Sequence, residues 1–66
     1  MIADPDVYGA AKLLVDKHGD GAARRAARRA AELSDEGDAE GAATWRLILN
    51  AIVELQRERG PGEALN

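Results

Sequence analysis

Apolar side chains recur at helical spacing along the chain and crowd most densely into residues 45–55, Trp-Arg-Leu-Ile-Leu-Asn-Ala-Ile-Val-Glu-Leu. At about 100° per residue, Trp45, Ile48, Leu49, Ile52 and Leu55 project onto one face. This stretch carries the only tryptophan. It therefore reads as the helix that supplies the core, with Trp45 at the centre. The pattern predicts this helix over residues 39–58. Gly60-Pro61-Gly62 ends it, and residues 60–66 are expected to form a flexible C-terminal tail.

Two further helices precede it. Asp4-Pro5-Asp6 is a helix start: an aspartate cap, a proline suited to the first helical position, and a carboxylate at the positive end of the dipole. Val7, Ala11, Leu14, Val15 and His18 then share a face with Tyr8 at its edge, and Gly19 follows the basic pair Lys17-His18 as a stop. The first helix is placed at residues 5–18. Asp20 is expected to cap the second, over residues 21–35, in which Ala23, Ala26, Ala27, Ala30 and Leu33 form a small-residue stripe. Arg24, Arg25, Arg28 and Arg29 form the opposite stripe. Alanine has high helicity but little apolar area, so such a stripe favours close approach to the large side chains of the third helix. Gly37 and Asp38 supply the next stop and cap, and Gly41 leaves room for another backbone. The pattern has no strand period and no internal repeat. It predicts an all-α fold, a small three-helix bundle forming a single domain over residues 1–59.

Composition narrows what such a bundle can do. With 66 residues the chain holds one small core, and with no cysteine and one histidine neither a disulfide nor a metal set is available to brace it. No cofactor is expected. A net charge of −3 argues against general affinity for nucleic acid or anionic membrane. No apolar run approaches the ~20 residues needed to span a bilayer. The opening Met-Ile-Ala-Asp-Pro-Asp lacks the basic and apolar regions of a secretory signal, so a cytoplasmic location is expected.

Asp4-Pro5-Asp6-Val7-Tyr8, Ala11 with Leu13-Leu14, His18-Gly19, Arg28-Arg29-Ala30 and Gly37-Asp38 form a pattern with a second block. That block is Trp45-Arg46, Ile48-Leu49, Ala51-Ile52 and Glu54-Leu55-Gln56-Arg57. Together they resemble a family of short uncharacterised helical proteins of alphaproteobacteria, over nearly the whole chain except about the last seven residues. The resemblance implies a bacterial, cytoplasmic, all-helical protein and brings no functional residues with it. In size and charge the chain also looks like small acidic helical proteins of phages and mobile elements, including inhibitors of bacterial defence systems.

The most specific local feature is the arginine cluster. Four guanidinium groups on one face suit carboxylates or phosphates, because each presents a planar fork of donors. Asp20 lies four residues before Arg24, and Glu32 four after Arg28, which is the spacing of intrahelical ion pairs on a solvated face. No aromatic residue within the cluster offers a stacking surface for bases. A solvated face therefore ranks first, an acidic protein partner second, and nucleic acid third. His18, near a helix end, reads as a capping or packing residue. Asp35, Glu36, Asp38 and Glu40 crowd one turn, but their spacing is not that of a calcium loop. Leu13 points away from the first helix's apolar face. Leu47, Ile48, Ala51 and Leu55 make a second apolar strip on the third helix, so Leu13, Leu47 and Ala51 are candidate self-association residues for a homodimer. The functional expectation is a non-enzymatic protein–protein interaction module, self-associating or of the phage-inhibitor kind, with Arg24, Arg25, Arg28 and Arg29 as partner-binding residues. The alternative is a small nucleic-acid-associated regulator using the same arginines.

Overall fold

The computed structural model describes residues 5–59, and all described residues outside one short loop are helical. Helix α1 spans Pro5–His18 and α2 spans Ala22–Asp35, joined by a 3-10 turn at Gly19–Gly21, and α3 spans Ala39–Arg59. Helical backbone thus runs unbroken from residue 5 to residue 35, and the single non-helical break among the described residues lies at 36–38. Three helices separated by two short turns were expected. The first turn is instead a tightened helical link that bends the arm without interrupting it. Gly19 makes this link with φ of 55°, which a side chain would resist. Asp20 lies inside the 3-10 turn rather than capping α2, whose N-cap position falls on Gly21 with no side-chain hydrogen bond. The predicted cap Asp4 and the tail of residues 60–66 lie outside the described residues.

The break at 36–38 is specified more fully. Gly37 takes φ of 87°, its N–H donates to the Ser34 carbonyl at 3.0 Å, and the Asp38 N–H donates to the Leu33 carbonyl at 2.8 Å. These two bonds are the Schellman closure of α2. Asp38 then opens α3: its Oδ1 accepts the Gly41 N–H at 2.8 Å, while its carbonyl accepts the Ala42 N–H at 3.0 Å. Gly41 serves this cap. A Cβ there would collide with the Asp38 carboxylate, so the glycine makes room for that side chain and not for a second backbone.

Helix α3 packs along both α1 and α2, which touch each other far less. The main core joins Val7, Ala11 and Val15 of α1, Ala22 and Ala26 of α2, and Ile48, Ala51 and Ile52 of α3. Ala10, Leu14, Ala23, Trp45, Leu49 and Leu55 are half-buried around it. Ala30, Leu33 and Ala42 are buried nearer the α2–α3 break. Among the described residues, six of the eleven buried hydrophobics are alanines, and Ile52 is the only large side chain fully enclosed. Close helix approach substitutes here for side-chain volume. Gln56 Nε2 donates to the Gly19 carbonyl oxygen at 2.9 Å, tying the last turns of α3 to the α1–α2 link.

Three expectations are corrected by this packing. The inward alanine column is Ala22, Ala26 and Ala30 with Leu33, whereas Ala27 is exposed and Ala23 only half-buried. Trp45 is half-buried at the flank, not at the centre. The second apolar strip does not exist as a surface, because Ala51 and Ile48 are 1% and 6% exposed, within the monomer's own core. Of the proposed self-association residues, only Leu13 and Leu47 are exposed.

Candidate functional site

Placing Ala22, Ala26, Ala30 and Leu33 inward fixes where the arginines go. At about 100° per residue, Arg25 and Arg29 then flank the buried face, and Arg24 and Arg28 lie nearly opposite it. The opposite flank carries Ala23, Ala27 and Ala31. All four arginines are exposed, and all four line one open groove of about 650 Å³. Its other walls are Leu14 and His18 of α1, Gly21 of the 3-10 turn, Glu32 of α2 and Trp45 of α3. All three helices contribute to it.

Its charge is sharply segregated from the rest of the chain. Among the described side chains, four of the eight basic residues line the groove, against one of the nine acidic residues, although the whole chain is net negative. The expected internal neutralisation is largely missing. Glu32 pairs with Arg29, Oε1 to Nη1 at 3.2 Å, at i,i+3 spacing and not with Arg28 at i,i+4. That contact is about half exposed and worth little in stability, on the order of 0.2–1 kcal/mol. Among the described residues, Arg24, Arg25 and Arg28 form no ion pair or hydrogen bond to a side chain. Asp20, the partner expected for Arg24, is held in the 3-10 turn.

The second component is apolar. The indole of Trp45 and the side chain of Leu14 are each half-buried, with part of their surface turned into the groove. Helical spacing alone does not join the arginines to the tryptophan, because it puts Trp45 at the core's centre. A signal was present: Ala-Ala and Arg-Arg alternate every two residues, so turning the alanine face by one column carries Arg25 and Arg29 towards α1 and α3. His18 also lines the groove, half-buried at the end of α1, which adds a wall beyond the capping role expected for it.

The carboxylates around the break have other work. Asp38 caps α3, and the Glu40 carbonyl accepts the Thr44 hydroxyl at 3.0 Å. Among the described residues, no three histidine or carboxylate side chains converge as metal ligands would. No helix among them is long and apolar enough to cross a membrane. On comparison with known proteins, no family model, curated protein or solved structure matches this chain. The likeness to short alphaproteobacterial helical proteins therefore rests on the residues quoted above alone.

Proposed function

We propose that this chain is a non-enzymatic protein-binding module whose arginine groove receives an acidic segment of another protein. One observation carries the reading. Three guanidinium groups without ionic partners stand in a groove with a partly buried indole, in a molecule whose net charge is −3. Arginine and tryptophan are among the side chains that most often dominate binding energy at protein interfaces. Guanidinium groups stay protonated, so the four arginines serve recognition and not proton transfer. The surrounding carboxylates add discrimination by repelling acidic surfaces that fail to seat their charges in the groove.

Trp45 beside the arginines also supports a second reading, a nucleic-acid-associated regulator, because an indole supplies the stacking surface that the arginine stretch itself lacks. The protein reading is preferred. A polynucleotide extends well past a groove of this size, into a surface where, among the described residues, eight exposed carboxylates outnumber four basic side chains.

The test is affinity capture from a lysate of the source organism, with the Arg24→Gln/Arg25→Gln/Arg28→Gln/Arg29→Gln variant alongside. A discrete protein retained after nuclease treatment, and lost with the variant, supports the proposal. Recovery of nucleic acid that depends on the same arginines supports the alternative. Capture indifferent to the four substitutions removes the groove from either role.

A further inference from the structure

We infer that the occupant of the arginine groove is an acidic amphipathic helix, with carboxylates one turn apart and a large apolar side chain between them. This rests on the protein-binding reading above and specifies its ligand. Arg24 and Arg28, and likewise Arg25 and Arg29, are four residues apart on a continuous helix, so each pair repeats at about 6 Å along the α2 axis. A second helix lying alongside repeats its own i,i+4 side chains at the same pitch, so two of its carboxylates meet two guanidiniums in register. An extended segment lacks what it needs here. Strand addition requires a free sheet edge, whereas this groove is walled by helix side chains whose backbone groups are already paired along the helices. A helix brings its backbone hydrogen bonds with it and lays its apolar face into a groove. Leu14 and Trp45 supply the floor for one large apolar residue.

Glu32 fits this picture as an internal competitor. Its carboxylate already engages Arg29 within the groove, at 3.2 Å. An arriving carboxylate is repelled by Glu32 and must share or displace it. Removing that charge therefore tightens binding instead of weakening it. A residue whose pair merely stabilised α2 would not behave in this way.

The experiment uses two capped synthetic peptides of one composition, rich in alanine. One has glutamates at i and i+4 with a leucine between them on the same face. The other is permuted so that the glutamates fall on opposite faces. Each is titrated into the full chain and followed through Trp45 emission, with helicity of every variant checked by circular dichroism. The registered peptide is expected to bind about tenfold more tightly than the permuted one, which is the scale of two exposed ion pairs. Glu32→Gln is expected to tighten it severalfold, and Arg24→Gln/Arg28→Gln to weaken it about tenfold. Equal binding of the two peptides overturns the helical register while leaving an acidic partner in place. Absence of binding by either peptide overturns the inference, and the capture experiment then decides whether the broader proposal survives. Tighter binding of pyrophosphate or a single-stranded RNA oligonucleotide than of the registered peptide overturns it in favour of a phosphate site.

Discussion

Asp38 does two jobs at one position. Its backbone N–H closes α2 on the Leu33 carbonyl at 2.8 Å, and its carboxylate opens α3 on the Gly41 N–H at 2.8 Å. Gly41 is coupled to it, because a Cβ there would meet the capping carboxylate. An alanine in the first turn of a helix ordinarily gains about 0.5–1 kcal/mol over glycine. Here it would push the cap aside, and losing a cap costs about 1 kcal/mol. Gly41→Ala is therefore expected to be close to neutral in the native background, and to stabilise by about 0.5–1 kcal/mol once Asp38→Ala has already removed the cap. Urea denaturation of the two single variants and the double variant checks this. Equal gains in both backgrounds would show that the carboxylate and the glycine are independent.

Among the elements, helix bounds were the most legible feature of the sequence. Gly19, Gly37 and Asp38 act locally, through positive φ and a side-chain cap, so α1 starts and stops where expected and α2 and α3 differ by a single residue at one end. The rotation of α2 about its own axis was only weakly legible. Ala22, Ala26 and Ala30 form one column and Ala23, Ala27 and Ala31 another, and the two have identical side chains. Leu33 alone tells them apart, falling within the arc of the first column and about 120° from the middle of the second. Packing against α3 follows that one large side chain. That placement predicts unequal responses to the same substitution. Ala26 is fully buried at the helix contact, so Ala26→Leu should cost about 1–3 kcal/mol through overpacking. Ala27 faces solvent, so Ala27→Leu should stay within about 0.5 kcal/mol of the parent. Thermal unfolding of the two variants distinguishes the columns, and a larger loss at Ala27 would mean that α2 is turned the other way.

At the scale of the whole molecule, the formal charge of −3 conceals a division that only the fold creates. The arginines are contiguous in sequence, but Leu14, His18 and Trp45 reach them from two other helices, and the expected ion pairs mostly fail to form. The sequence could not show this, because i,i+4 spacing permits a pair without requiring one. Likewise, the apolar strip of Leu47, Ile48, Ala51 and Leu55 dissolved on folding. A core with so few large side chains takes in Ile48 and Ala51 and leaves Leu47 exposed beside polar neighbours.

The central claim is that the indole stands at the edge of the arginine groove, and the chain's single tryptophan makes this directly readable. Fluorescence quenching by iodide and by caesium at equal ionic strength compares the reach of an anion and a cation to the same ring. Clustered guanidiniums concentrate iodide and exclude caesium within about 10 Å at moderate salt. The account predicts a clearly steeper iodide slope, levelled when Arg24, Arg25, Arg28 and Arg29 are changed to glutamine. Equal slopes in the parent, or an indole that neither ion reaches, would contradict it.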